Sequence, residues 1–178
     1  VTTCSYQSGM IAAEGRDYVT AIDTKHVSVG QCVVVLTMAR LIREHPEWSV
    51  EEARAKAEEV SRKVHMCFVP DTLEFLRAGG RVSNAAALCG ALLKIHPRIE
   101  ILDGYLKATK KHRGTMKKIA PQLVRDYIAE QDLNKEALWL IWAPGLDEEI
   151  KREAEEAALE CGVQKVTWVK TGGVITTH

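Results

Sequence analysis

Two short polar segments of the 178-residue chain carry groups that could bind an anion. Residues 2–5 (TTCS) place hydroxyls directly before a helix-compatible stretch, where free N–H groups can bind a carboxylate, although ordinary N-capping explains the same cluster. Residues 79–84 (GGRVSN) combine two glycines, which permit close backbone approach, with the donors of Arg81. They predict either an anion or phosphate site or a Schellman-type helix end beside a surface arginine.

An apolar segment and a basic segment offer two other kinds of contact. Residues 85–93 (AAALCGALL) predict a helix with very little polar surface, which is typical of a core and also suits the wall of an apolar ligand cavity. Residues 110–113 (KKHR), with Lys117 and Lys118 nearby, are typical of a solvated face. The alternative is a docking patch for an acidic partner.

Composition and motifs exclude several function classes. The 24 basic and 24 acidic residues give zero net charge, which argues against a general nucleic-acid binder or a protein held on anionic membranes. No apolar run approaches the roughly 18 residues of a membrane helix. The five cysteines are widely spaced without a CxxC pair, as in proteins with reduced cytosolic thiols, and give no zinc site. GxSxG, GxGxxG and P-loop motifs are missing, and no group of His, Cys, Asp and Glu has the spacing of metal ligands, so we expect no cofactor and no metal.

The helices that must position these groups follow from apolar periodicity. A capping box of Ser49 and Glu52 begins a helix that runs to about Lys63. Pro121 predicts a break or kink near Ala120 in its helix. Asp71 is the predicted cap of a helix at residues 71–78. The other predicted helices span residues 5–14, 29–44, 83–93, 115–130 and 147–161.

The strands follow from short apolar or alternating runs, and Asp103-Gly104 predicts a hairpin between residues 99–102 and 105–109. Helix and strand alternate, which indicates an α/β fold with a domain boundary near Gly79-Gly80. The remaining predicted strands span residues 18–23, 64–69, 137–142 and 163–169.

Residues 71–83 (DTLEFLRAGGRVS) resemble the signature of the DegV family of bacterial fatty-acid-binding proteins. Residues 3–9 resemble the family's Ser-Gly-Thr-Tyr-Gln-Ser-Ala segment, residues 21–30 its Ile-Asp-Ser…Ser-x-Gly segment, and residues 174–178 the run into its His-x-Gly-Pro-Gly. An Ala/Leu helix, a proline-containing turn, an Asp-Gly hairpin and an Arg-Gly before a helix also occur here in the family's order. Their positions are residues 85–93, 96–98, 103–104 and 113–114.

The resemblance implies a two-domain α/β protein, of which this chain would be a fragment lacking the family's first unit and its last residues. Residues 1–78 would be the C-terminal part of a first α/β domain with a parallel sheet. Residues 79–178 would form a second α/β domain with a mixed or antiparallel sheet.

The resemblance also implies a function. Family members hold a long-chain fatty acid between two domains and present its carboxylate to a fatty acid kinase, whose acyl phosphate product feeds phospholipid synthesis. The chain would then be a cytoplasmic carrier and not an enzyme, with no nucleic-acid partner and no integral membrane association. Because an unpaired buried carboxylate costs several kcal/mol, such a site needs donors at the head of the acid.

Three sets of site residues are expected: the first follows from position in the family motifs, the second from the apolar helix at residues 85–93, and the third from the basic run. The fatty-acid carboxylate would be bound by Thr3, Ser5, His178 and Arg81. The acyl-chain pocket would be lined by Ala86, Leu88, Cys89 and Leu92. The kinase would dock on Lys111 and Arg113.

The residues leave two other functions open. Residues 79–84 and the basic run near Arg113 could form a binding module for a phosphorylated small molecule. Ser5 or Cys4 with His178 could serve a hydrolytic enzyme, although no nucleophile elbow or oxyanion motif accompanies them. Cys4 also stands where the family has glycine, which adds bulk at a tight turn.

Overall fold

The computed structural model describes residues 4–80 and 95–172. The helices of this part are α1 (Ser5–Ala13), α2 (Ser28–Glu44), α3 (Val50–Lys63), α4 (Glu74–Ala78), α5 (Met116–Glu130) and α6 (Glu148–Glu160). The strands are β1 (Cys67–Phe68), β2 (Ile95–Leu102), β3 (Tyr105–Arg113), β4 (Leu138–Trp142) and β5 (Val166–Lys170).

Two compact units make up this chain. The first unit comprises the residues up to Cys67 together with Glu100–Lys107, and the second comprises Phe68–Ile99 and the residues from Ala108 onward. The assignment of residues 1–78 and 79–178 to two domains of the family fold stays a prediction.

A pair of helices, α2 and α3, forms the core of the first unit. Val34 and Met38 lie one turn apart on α2 and pack against Ala57 of α3. The capping box predicted for α3 is confirmed: the Ser49 hydroxyl accepts the Glu52 N–H at 3.2 Å, and the Ser49 N–H donates to the Glu52 carboxylate at 2.8 Å. The pair of bonds satisfies two N–H groups that a helix start otherwise leaves without partners.

The turn between α2 and α3 contains a stacked aromatic pair. The ring of His45 lies parallel to that of Trp48, with 4.5 Å between the centroids. Trp48 also packs against the core of the first unit. The helix α2 ends before Pro46, as predicted, because the residue preceding a proline disfavours helical backbone.

A hairpin of β2 and β3, with β1 on the far side of β2, forms the three-stranded sheet. Asp103 and Gly104 connect the two strands, and both have positive φ (54° and 79°), as a two-residue type I′ turn requires. The predicted hairpin is therefore confirmed, and its strands are longer than the sequence predicted. Residues 96–101 of β2 are all buried, so neither face of this strand is open to solvent.

The second unit contains a parallel pair of strands, β4 and β5, in the register Leu138↔Val166 to Trp142↔Lys170. The chain between these strands forms α6, which packs against α5 and the strands. Ala157 and Ala158 are fully buried, so α6 approaches its neighbours closely. The buried core of this unit is Val124, Ile128, Ala154, Ala157, Ala158 and Val163.

Two tryptophans of the second unit contact α6. The indole N–H of Trp168 donates to the Glu155 carboxylate at 2.9 Å. The ammonium of Lys151 lies 3.5 Å from the centroid of a Trp142 ring, within the range of a cation–π contact. These contacts fix α6 on one face of the parallel pair.

Three local predictions are wrong or only partly right. Residues 18–23 form no strand, because a strand needs a hydrogen-bonded neighbour and Tyr18 is instead 79% exposed. The strand predicted at residues 64–69 is reduced to β1. The helix predicted from Asp71 begins at Glu74, where the Thr72 hydroxyl accepts the Glu74 N–H.

The break predicted near Ala120 is wrong, since α5 continues through Pro121, whereas the alternative of a kink there stays a prediction. A proline removes one intrahelical hydrogen bond. The burial of Ile119 on one side and of Val124, Tyr127 and Ile128 on the other holds both halves of the helix in place.

The α/β class is confirmed by helices that accompany a hairpin sheet and a parallel pair of strands. The predicted apolar helix at residues 85–93 lies outside the described residues.

Candidate functional site

The first turn of α1 is the described part of the predicted carboxylate site. Ser5 is the first residue of this helix and is exposed. The side chain of the N-cap residue, Cys4, makes no capping hydrogen bond among the described residues, and the first turn contains no acidic residue. A helix N-terminus carries partial positive charge and N–H groups that have no acceptor within the helix, so this turn suits an anion such as a carboxylate.

Cys4, which replaces the family's glycine, fits the start of α1 without backbone strain. Its φ is −88° and its ψ is 5°, a conformation that residues with a side chain adopt. The side chain is exposed. The bulk expected from this substitution therefore does not prevent the helix from beginning at Ser5.

The other members of the predicted ligand site lie outside the described residues, and their positions relative to Ser5 stay predictions. For the carboxylate these are Thr3, Arg81 and His178. For the acyl chain they are Ala86, Leu88, Cys89 and Leu92.

An apolar groove along α1, which the sequence did not predict, lies within the first unit. It has a volume of about 450 Å³ and is lined by Met10, Ile11, Val19 and Ala21, with Arg54 of α3 among its polar residues. Ile11 is 72% exposed. In the sequence, the groove is indicated only by the apolar end of a short helix. No spacing pattern indicates which other residues would line it.

The predicted docking residues, Lys111 and Arg113, lie on the exposed side of β3. Exposed positions alternate with half-buried or buried ones along this strand, so neighbouring members of the basic run face opposite ways. Among the residues that the structure describes, neither Lys111 nor Arg113 has an ion-pair partner. The two side chains offer an acidic partner two cations without competing carboxylates.

Lys110, between these exposed residues, belongs to the inner side of β3 and contacts α5. Its ammonium lies 2.7 Å from an Asp126 carboxylate oxygen and 2.7 Å from a Glu130 carboxylate oxygen. The hydrogen bonds that Lys110 donates to these carboxylates, first of all that to Asp126, raise the pKa of Lys110. The bond that Lys110 donates to Glu130 is also the largest cause of the lowered pKa of Glu130.

Arg98 of β2 extends the same polar cluster. Its guanidinium lies 2.6 Å from the second oxygen of Glu130 and 5.3 Å from the centroid of the Tyr127 ring, and its Nε donates to the Thr109 hydroxyl at 3.2 Å. The Arg98 side chain is only 6% exposed. A buried arginine needs such partners, because an unpaired buried charge is strongly destabilising.

His112 lies at the edge of this cluster and is only 4% exposed. No described polar atom is within hydrogen-bonding distance of its Nε2. Burial lowers the pKa of His112; the carboxylates of Asp126 and Glu130 oppose this effect, and the charges of Lys110 and Arg98 add to it. Burial therefore disfavours the protonated form of this imidazole in the folded protein.

Residues 4–80 and 95–172 contain no group of three His, Cys, Asp or Glu side chains that could hold a metal ion. Over the same residues, every helix is too short or too polar to cross a lipid bilayer.

Similarity to known proteins covers nearly the whole chain. The family model described as "Uncharacterised protein, DegV family" matches residues 3–178. A DegV domain-containing protein of Deinococcus radiodurans is 35% identical over 123 residues, which are 68% of this chain and 43% of that protein. The match thus spans less than half the length of this relative.

Two solved structures have the same fold. The structure described as fatty acid binding of a DegV family protein from Thermus thermophilus matches with a TM-score of 0.80 and 28% identity, covering 99% of this chain and 63% of that one. The Fatty Acid Kinase (Fak) B3 protein of Streptococcus pneumoniae, loaded with linoleic acid, matches with a TM-score of 0.78 and 19% identity over the same shares. With the family model matching from residue 3 to residue 178, the chain belongs to the DegV family.

Proposed function

We propose that the protein binds a long-chain fatty acid and presents its carboxylate to a fatty acid kinase, as a carrier and not as an enzyme. The observation that carries this proposal is the likeness to the Thermus thermophilus protein, which is described as binding fatty acid, over 99% of the chain at 28% identity. A cytoplasmic location and a role in phospholipid synthesis belong to the same proposal.

The head of the fatty acid is proposed to lie at the start of α1. Ser5 contributes an exposed hydroxyl at a helix end that favours anions and has no acidic residue in its first turn. Hydrogen bonds to a charged group contribute about 1.5–3 kcal/mol each. Thr3, Arg81 and His178 are proposed to complete the set of donors.

The tail is proposed to lie against Ala86, Leu88, Cys89 and Leu92. Burial of each CH₂ group contributes about 0.8 kcal/mol, so a long acyl chain supplies most of the binding free energy. Small side chains such as Ala86 would set the width of the slot.

Lys111 and Arg113 are proposed to meet an acidic surface of the kinase. Both are exposed and unpaired among the described residues, and charges of this kind act mainly on the rate and specificity of association. The Streptococcus pneumoniae protein, which has this fold, is named for a fatty acid kinase.

Denaturing mass spectrometry of an organic extract tests the ligand. The full-length protein, purified without added lipid, should release a long-chain fatty acid in a near one-to-one ratio. An extract without an acyl chain, from protein that also fails to bind added oleate, would contradict the proposal.

The role of Ser5 is tested with Ser5→Ala and a matched control, Ser8→Ala. Ser8 is also exposed and lies on the same helix. It lies inside the helix and not at its N-terminus, since its backbone N–H donates to the Cys4 carbonyl at 3.0 Å. We expect Ser5→Ala to raise the Kd for oleate about tenfold, because one hydrogen bond to a charged group is lost. Equal affinities of the two variants would remove Ser5 from the site.

A further inference from the structure

Two adjacent lysines of β3 have opposite environments. Lys110 lies on the inner side of the strand, where two carboxylates of α5 bind its ammonium. Lys111 lies on the exposed side and has no ion-pair partner among the described residues. Because the two side chains have the same chemistry, their environments differ only through the opposite directions in which they leave the strand.

The two carboxylates that bind Lys110 differ in their other partners. Glu130 is also paired with Arg98, at 2.6 Å, and keeps a cation if Lys110 is lost. Within the described parts of the chain, Lys110 is the one cation that Asp126 contacts. Loss of the Lys110 charge would therefore leave Asp126, which is only 26% exposed, as the carboxylate without a partner.

We propose that Lys110 is a positioning residue for the docking of the kinase: by neutralising Asp126 it leaves Lys111 on the outer side of β3 for the partner. This proposal rests on the function proposed above. Without Lys110, the next cation along β3 is the ammonium of Lys111. Because the Lys111 side chain is flexible, Asp126 attracts this ammonium toward the inner side of the strand.

The experiment measures the KM of the fatty acid kinase of the same organism for the oleate-loaded full-length protein, with ATP, at several salt concentrations. The variants are Lys110→Gln, Lys110→Arg and the double variant Lys110→Gln/Asp126→Asn. The Lys111→Glu/Arg113→Glu variant gives the KM that is expected when docking itself is lost.

Lys56→Gln is the matched control. Lys56 lies on α3, outside the basic run, and is paired with the Glu59 carboxylate at 2.8 Å, which Lys63 also binds at 2.6 Å. The substitution removes the same charge from an ion pair that has no part in the proposed docking face. Its KM should equal that of the unmodified protein.

We expect Lys110→Gln to raise KM about fivefold and to flatten its dependence on salt, because fewer cations meet the partner. Lys110→Arg should restore both values. The double variant should also restore them, since Asp126 no longer attracts Lys111. A partly unfolded protein would instead raise KM by the same factor at every salt concentration, which distinguishes it from a protein that has lost a cation from its docking face.

Two results would overturn the positioning role: an unchanged KM in Lys110→Gln, or a raised KM that Asp126→Asn fails to restore. Failure of the underlying function has different signatures. The absence of acyl phosphate with the unmodified protein would refute presentation to the kinase. An unchanged KM in the Lys111→Glu/Arg113→Glu variant would refute the docking face.

Discussion

The cores of the two units differ in how completely they enclose their apolar residues. In the second unit, six buried residues of α5, α6 and the segment before β5 pack together, and Ala157 and Ala158 have no exposed surface. Among the described residues of the first unit, the buried cluster of α2 and α3 has three members, whereas Met10 and Ile11 of α1 are exposed. We therefore expect the second unit to be the more stable one and the apolar surface of α1 to contribute little to stability.

The largest expected effect is that of Ile128→Ala. Ile128 is 5% exposed and belongs to the core of the second unit. Its truncation should lower the free energy of unfolding by about 4 kcal/mol, because the close packing around it cannot collapse into the cavity. Urea denaturation of the two proteins measures the difference, and a loss below about 2 kcal/mol would show that this core is loosely packed.

Met38→Ala makes the corresponding change in the first unit. Met38 is 8% exposed and packs in the smaller cluster with Val34 and Ala57. We expect a loss of about 2 kcal/mol, at the low end for such truncations, because fewer neighbours surround the side chain. A loss equal to that of Ile128→Ala would remove the difference between the two cores.

The third expected effect depends on pH and concerns His112. The pKa of His112 is lowered in the folded protein, chiefly by burial. In the unfolded chain, the pKa of a histidine is about 6.5. The contribution of the neutral imidazole to stability is therefore complete above that pH and is lost as the pH falls toward the folded-state pKa. The stability of the unmodified protein relative to His112→Gln should decrease between pH 7.5 and 5.5.

Denaturation midpoints at the two pH values measure this effect. His65→Gln, at an exposed histidine, controls for the loss of an imidazole. A difference between the unmodified protein and His112→Gln that is constant with pH would show that protonation of His112 is not coupled to unfolding.

The smallest expected effect is that of Ile11→Ser. Ile11 is 72% exposed, so its replacement should change the free energy of unfolding by less than about 0.5 kcal/mol. A thermal melt of the unmodified and substituted proteins compares them. Destabilisation by more than about 1 kcal/mol would mean that α1 contributes to the core of the first unit.

Local signals made much of the fold predictable. The capping box of Ser49 and Glu52 fixed the start of α3, and the Asp103-Gly104 pair fixed the hairpin, because each depends on residues that are neighbours in the chain. Gly162, with φ of 87°, similarly follows the end of α6. Each of these features is decided within a few residues of chain.

Features that depend on distant partners were not predictable. Residues 18–23 have the composition of a strand but form none. The ion pair of Arg98 and Glu130 joins positions 32 residues apart, and neither neighbourhood indicates the other. The basic run was identified, but composition did not separate the inward Lys110 from the outward Lys111; the alternation of a strand does.

The placement of the four tryptophans has a spectroscopic consequence. Trp139, Trp142 and Trp168 belong to β4 and β5 of the second unit, whereas Trp48, stacked on His45, belongs to the first. The intrinsic fluorescence of the protein is therefore dominated by its second unit. Trp48→Phe leaves an emission signal that follows the parallel strands alone, so the second unit can be observed separately, and the difference from the unmodified protein reports on the first unit without an added label.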